Sequence, residues 1–418
     1  MLKQLILENW KSFRYAELPL DPLTVIVGTN ASGKSNVVEA LEFLQRIARG
    51  ENIEAALAGD KILSSIRGGV EWAALKPEKE FTLKILIAGE NDKTDYLYVI
   101  KVQTLPQLRV IEEYIEIQFF NEDNENKIKE KYTIENLSFA NKSGLTSSEI
   151  ISWGDIRLNS NSYIKNTKVN INNREDIKNY YLSVTKNAKN AIVVSLENLF
   201  TLNPIPYRMR DYSRLDEKLE SNGSNIAGVL AALDSGQKAE VESALSAYIK
   251  HFPEGDIKKV FAEPVGRLKT DAMLYCEEEW KPGETTLIDA KTMSDGTLRF
   301  IAILTALLTR PEGSQIVIEE IDNGLHPSRA ELLVRILREI GSKRKIDILL
   351  TTHNPALLDA LGPEIVPFVV VAHRDKETGE SKLTLLEDID NFSKLFASYS
   401  LGDMTTKGAI ERSLSRNE

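Results

Sequence analysis

Apolar and polar positions change their spacing several times along the chain, and each change marks an element. Leu2-Lys-Gln-Leu-Ile-Leu-Glu-Asn9 has an apolar spine that predicts a strand, and 14–20 predicts its antiparallel partner. The short apolar run Leu23-Thr-Val-Ile-Val27 predicts a third strand, with a helix over 36–44. Residues 81–88, 95–103 and 108–119 carry β-branched and aromatic residues in partial alternation, which predicts an antiparallel meander forming a small β-lobe. Between 120 and 190 the texture turns to Asn, Lys, Glu and Ser, predicting an irregular, partly mobile insertion. Over 224–250, Leu230, Leu233, Val241, Leu245 and Ile249 fall on one face of a predicted helix. Strands return at 257–262, 272–280 and 285–289. Then comes the strongest alternation: helix 298–309, strand 315–318, helix 329–340, strand 346–350. Such βα alternation predicts a mostly parallel sheet covered by helices, hence an α/β fold.

At 418 residues the chain exceeds the size at which single cores stop growing. Three segments are expected: 1–119 with the antiparallel β-lobe, 120–255 with the insertion and a helical subdomain, and 256–418 as a C-terminal lobe. Hydrophobic residues at 42% and charged residues at 27% are ordinary for a globular protein. One cysteine, Cys276, excludes an internal disulfide framework and a Cys-based zinc cluster. No apolar run is long enough to span a membrane and no signal-peptide pattern opens the chain, so a cytoplasmic protein without membrane association is expected. A net charge of −10 argues against an extended nucleic-acid coat, though not against a local contact.

The most specific motif is Gly28-Thr-Asn-Ala-Ser-Gly-Lys-Ser35, a complete phosphate loop between a predicted strand and a predicted helix. Gly28 and Gly33 allow backbone N–H groups to close around a phosphate, with Thr29, Asn30, Ala31, Ser32 and Asn36 completing the loop. Lys34 can reach the terminal phosphates and Ser35 can ligate Mg²⁺. The chain is therefore expected to bind a nucleoside triphosphate.

Four further features follow in order. Ser294, Asp295 and Gly296 open the helix predicted at 298, a pattern equally at home in a plain helix cap. Gln315-Ile-Val-Ile-Glu-Glu320 is an apolar strand ending in two carboxylates, which strand alternation would aim in opposite directions. Glu319 is suited to Mg²⁺ and Glu320 to orienting a water. Asp322, Asn323, Gly324 and His326 form a turn before the next helix. Thr351-Thr-His-Asn-Pro355 closes the series, with His353 able to hydrogen-bond a γ-phosphate.

Together these motifs resemble the ABC-type ATPase heads of the SMC-like, RecF-like and OLD-like proteins, most of all the subgroup that pairs IEE with a GLHP turn and a TTHNP box. The resemblance runs from Asn9-Trp-Lys-Ser-Phe13 to Ser400-Leu-Gly-Asp403. It implies that Ser294, Asp295 and Gly296 form the signature that contacts the γ-phosphate of the other protomer. Glu319 stands at the Walker B acid, Glu320 at the catalytic glutamate, Asp322 to His326 at the D-loop and His353 at the switch histidine. Walker B carries Glu where Asp is usual, and the signature reads SDGT rather than SGGQ. Gln103, Gln107 and Gln118 are the candidates for a Q-loop.

The resemblance implies ATP hydrolysis with Mg²⁺ by a homodimer, or a higher oligomer, with ATP sandwiched between heads, and the departures from its pattern lead to an expectation of slow turnover. The stretch after His353 is too short for the Toprim nuclease domain of OLD-like proteins. A separate nuclease or toxin effector is therefore expected, in an antiphage or toxin–antitoxin-like system. The alternative is a RecF-like repair ATPase that engages DNA across its dimerised heads.

Overall fold

The computed structural model describes residues 1–61, 63–91, 93–121, 124–134, 156–157 and 174–414. In chain order the first elements are β1 (Leu2–Trp10), β2 (Phe13–Pro19), β3 (Leu23–Val27), α1 (Lys34–Ala48) and α2 (Ile53–Ala58). Next are β4 (Glu80–Ala88), β5 (Thr94–Gln103), β6 (Arg109–Asn121), β7 (Asn124–Ile134) and β8 (Ile156–Arg157). A long helix, α3 (Arg174–Glu197), leads to β9 (Leu199–Leu202), α4 (Pro206–Met209), β10 (Ser213–Arg214), α5 (Ile226–Ala232) and α6 (Ser235–Ile249). Strands β11 (Ile257–Val265), β12 (Asp271–Lys281) and β13 (Glu284–Asp289) precede α7 (Asp295–Thr309), β14 (Gln315–Ile318) and α8 (Ala330–Arg344). The chain finishes with β15 (Asp347–Thr352), α9 (Pro355–Leu361), β16 (Val369–Arg374), β17 (Ser381–Leu385), α10 (Phe392–Ser398), α11 (Leu401–Thr406) and α12 (Ala409–Leu414). These elements divide into two compact units that interleave along the sequence.

The first unit holds Met1–Asp21, Asn30–Leu199 and Ala372–Leu383. Its hairpin β1–β2 and its meander β4–β5–β6 are antiparallel, as the alternation predicts, and β4 pairs directly with β1. Alternate residues of β4 from Phe81 to Ile87 are apolar and buried, and Leu5 and Leu7 of β1, paired with Ile85 and Leu83, are buried beside them. Helix α1 lies on that core through Phe43, whose ring meets Phe81 edge-on at 5.7 Å, while Trp10 meets Phe81 at 4.9 Å. Burying aromatic side chains of this size contributes about 2–3 kcal/mol each. The Trp10 indole N–H donates to the Asn36 carbonyl (2.7 Å), tying the first turn of α1 to the sheet.

Part of the stretch expected to be irregular is regular. β7 continues the meander by antiparallel pairing with β6, from Ile115 opposite Ile134 to Asn121 opposite Asn124. Main-chain pairing to an existing strand does not require an apolar sequence. Helix α3 carries a stripe that the polar composition hides: Thr185, Ala188, Ile192 and Leu196 are all buried. The rest of that insertion, 122–123, 135–155 and 158–173, lies outside the described residues.

The second unit holds Pro22–Thr29, Phe200–Val371 and Thr384–Glu418. Its main sheet runs β16-β3-β15-β14-β9. Within it β16, β3, β15 and β14 pair in parallel with one another, matching the predicted α/β core. Strand β15 is buried at every position and β14 likewise, which is the signature of strands covered on both faces. A separate antiparallel sheet joins β10, β12 and β11, with β13 also paired to β12, and α5 and α6 pack on β11. The single helix expected over 224–250 is two helices. Asp234 accepts the N–H groups of Gly236 and Gln237 (both 3.0 Å), so it starts α6 afresh after Leu233 turns to an extended conformation. Among the described residues, no helix is long and apolar enough to cross a membrane.

Candidate functional site

The loop between β3 and α1 takes its shape from three residues with positive φ: Gly28 (151°), Ala31 (64°) and Gly33 (112°). Alternation of left- and right-handed residues turns successive backbone N–H groups to one side, forming an anion-binding concavity. Gly33 cannot be replaced without strain. A Cβ there would stand 2.7 Å from the Phe13 ring and 2.8 Å from Ser381 Oγ. As the N-cap of α1, Gly33 offers no side-chain acceptor, and no acid occupies the first turn. The N-cap residue itself therefore contributes no side-chain acceptor to the positive dipole end of the helix, and the first turn adds no carboxylate. Thr29, Asn30 and Ala31 are exposed, Ser35 and Asn36 are half-buried, and Lys34 is buried. Ser32 Oγ is buried with no hydrogen-bond partner, a polar atom left over for a bound group.

In the second unit, parallel register gathers the other motifs at the carboxyl ends of the strands. Val27 stands opposite Thr352, and Ile318 opposite Leu350. The exits of β3, β14 and β15 thus share one edge, the usual place for a ligand in such sheets.

Strand β14 ends at Ile318, so Glu319 and Glu320 belong to a turn and strand alternation does not set their directions. Glu319 is half-buried, and its N–H donates to the Leu202 carbonyl (3.3 Å). Glu320 is exposed at φ 47°, a left-handed conformation costly for a side chain of this size. Its conformation is fixed from both sides: its N–H donates to Thr351 Oγ1 (2.8 Å), and its carbonyl accepts the Asn323 N–H (2.8 Å). Asp322 is buried, accepts a hydrogen bond from Thr352 Oγ1 (2.5 Å) and lies 3.7 Å from Nδ1 of the exposed His353. Asp322 therefore links the turn after β14 to the turn after β15. Neither threonine has a role that the motif alone would suggest.

The start of α7 is organised differently. Ser294 Oγ accepts the Thr297 N–H (3.1 Å) and shares a hydrogen bond with Thr297 Oγ1 (2.8 Å). Asp295 is exposed and paired with Arg210 (2.8 Å), which also donates to the Met293 carbonyl (2.7 Å). Gly296 packs on the turn of Gly324: a Cβ at 296 would stand 2.6 Å from the Gly324 carbonyl oxygen. Asn323 is exposed, and His326 Nδ1 shares a hydrogen bond with Ser328 Oγ (2.7 Å), shaping the turn before α8. Arg329 stacks its guanidinium 3.9 Å from the Phe252 ring and pairs with Glu254 (3.1 Å) beneath Thr297.

Three residues in this region escape sequence reasoning. Arg210 and Arg329 meet the start of α7 only through the fold. Arg299, one turn into α7, has its pKa lowered by burial, against the pull of the Asp295 and Glu320 carboxylates. Of the Q-loop candidates, Gln103 ends β5 and accepts from Arg109 (2.5 Å), Gln107 lies in the turn after β5, and Gln118 donates to Glu116 (2.7 Å). All three belong to the first unit.

Known proteins compare with the chain as follows. It is similar to solved SMC head domains, one from Thermotoga maritima at 14% identity and TM-score 0.41, with 92% of this chain covering 98% of that one. A head domain with an extended coiled coil, bound to the C-terminal domain of ScpA derived from Pyrococcus furiosus, is 13% identical at TM-score 0.47, with coverages of 95% and 99%. A third, the SmcHead bound to the C-winged helix domain of ScpA, is 15% identical at TM-score 0.46, with coverages of 92% and 96%. No curated protein matches. Residues 23–359, most of the chain, match the family described as "AAA domain, putative AbiEii toxin, Type IV TA system". This protein is a member of that AAA-domain family.

Proposed function

We propose that this protein binds and hydrolyses ATP with Mg²⁺, and that the nucleotide switches it between monomer and homodimer. The observation that carries this reading is the loop from Gly28 to Ser35, with its three left-handed residues leading into a helix whose N-cap is glycine and whose first turn holds no acid. That arrangement suits a polyphosphate better than any other common ligand. Lys34 would pair with the β- and γ-phosphates. The oxygen donors Ser35 and Glu319 suit Mg²⁺, which keeps few protein ligands and takes the rest from phosphate and water. Bound there, Mg²⁺ would neutralise charge on the phosphates.

Hydrolysis forms a bond from a water oxygen to the γ-phosphorus and breaks the bond to the β,γ-bridging oxygen. Glu320 would orient that water and receive its proton. The bonds to Thr351 and Asn323 hold Glu320 in a conformation it would not adopt alone, which is the kind of strain found where geometry must be exact. His353 would donate to the γ-phosphate, with Asp322 orienting its ring. The signature segment Ser294–Gly296 would meet the γ-phosphate held by a second copy.

We place the protein as the nucleotide-binding subunit of a defence or toxin–antitoxin-like system that acts with a separate effector. The family's description supports that context. Light scattering of wild type and Glu320→Gln, each with and without Mg-ATP, tests the switch. An ATP-dependent doubling of mass that the substitution prolongs is expected, with hydrolysis lowered by about two to three orders of magnitude. Loss of ATP-driven dimerisation in Glu320→Gln, with binding intact, would sink it.

A further inference from the structure

The hairpin between β16 and β17 reaches the phosphate loop at two points, both within the first unit. At the first, Arg374 donates from Nε to the Ala31 carbonyl (2.9 Å) and from one terminal nitrogen to the Gly379 carbonyl (2.6 Å). One guanidinium thus bridges the hairpin and the tip of the loop. At the second, Ser381 Oγ donates to Ser12 Oγ (2.8 Å), which also accepts from Asn36 Nδ2 (2.7 Å) in the first turn of α1. The same Ser381 Oγ limits the space beside Gly33.

The hairpin itself is firmly built. Asp375 accepts the N–H groups of Glu377 (3.0 Å) and Thr378 (2.8 Å) and pairs with Lys382. Its own backbone closes the turn through Glu380 and Gly379 (both 2.9 Å). Arg374 therefore projects from a fixed base.

Ala31 needs such a base. Its left-handed φ of 64° is unfavourable for a residue with a Cβ, so something outside the residue must hold it. In a trans peptide the carbonyl of one residue and the N–H of the next point in opposite directions. Holding the Ala31 carbonyl on Arg374 turns the Ser32 N–H away from the hairpin.

We propose that Arg374 is a positioning residue of the phosphate loop, holding the Ala31 carbonyl back so that the Ser32 N–H is presented to the nucleotide's phosphates. The proposal rests on the reading of this loop as the nucleotide site. Its effect is on affinity: Arg374 touches no phosphate, yet without it the Ala31–Ser32 peptide is free to turn over.

The test is a titration of the full chain with a fluorescent ATP analogue and Mg²⁺, comparing wild type, Arg374→Ala, Arg374→Lys and Lys34→Ala. Arg374→Ala is expected to raise Kd about tenfold, the effect of one lost hydrogen bond to a charged group. The melting temperature of its nucleotide-free form should stay near wild type, a split that general destabilisation would not give. Arg374→Lys keeps a charge but lacks the planar fork that spans the two carbonyls, so it should fall between the two. If Arg374→Ala binds as wild type does while Lys34→Ala does not, the proposal is wrong and the site reading stands. If Lys34→Ala binds normally, the site reading fails and the proposal falls with it. Should Arg374→Ala not fold, Arg374→Lys decides, and an unchanged Kd overturns the proposal.

Discussion

Two helices of this protein begin with a glycine-containing, hydroxyl-rich segment, and their beginnings are built in opposite ways. At α1 the N-cap is a left-handed glycine without a side-chain acceptor, and the preceding loop holds Ala31 in an unfavourable conformation. At α7 the N-cap is Ser294, whose hydroxyl already accepts the Thr297 N–H, and Asp295 adds a carboxylate in the first turn that Arg210 neutralises. The first helix has no acid in its own first turn, whereas the second has Asp295 there. An anion arriving at α1 meets no carboxylate from the helix itself. At α7 it meets a satisfied cap and a carboxylate, so this helix start does not favour an anion by itself.

Substitutions can break this contrast. The largest effect is expected from Gly33→Ala, where a Cβ meets Phe13 and Ser381 in a left-handed backbone. A loss of about 3 kcal/mol in denaturant unfolding is expected. A loss below about 1 kcal/mol would mean that the loop relaxes easily. Next is Lys34→Ala, which should raise the Kd for Mg-ATP on the order of a hundredfold, measured by equilibrium titration. Ser294→Ala removes a cap that is present without nucleotide, so it should lower the stability of the free protein by about 1 kcal/mol. Unchanged melting in this variant would show that Ser294 is not engaged in capping. The smallest effect is that of Asp295→Asn, an exposed ion pair expected to matter by about 0.5 kcal/mol or less, and less still in high salt.

The sequence made the elements around both helix starts legible because local rules set them. A short apolar strand, a glycine loop and a helix are encoded within consecutive residues, and the βα alternation from 298 to 350 is equally local. What escaped it was long-range or hidden by composition. Arg374 meets Ala31 across a separation of 343 residues, and no spacing rule connects them. The left-handed Glu320 depends on Thr351 from the neighbouring strand. The buried stripe of α3 sits among Asn and Lys residues that weaken its helical signal, and Asp234 divides a continuous apolar face by capping a new helix. Family motifs point to residues that meet substrate. They are silent about the side chains that hold those residues in shape.

The most direct measurement is amide hydrogen exchange of the full chain on adding Mg-ATP, first at a dilution that keeps it monomeric and then at a concentration that permits dimers. Protection of 28–36 is expected at both concentrations, with 294–298 gaining protection only at the higher one. The absence of protection at 28–36 at either concentration would contradict the assignment of the start of α1 as the nucleotide site, and protection of 294–298 in the dilute protein would contradict its contact with a second copy's nucleotide.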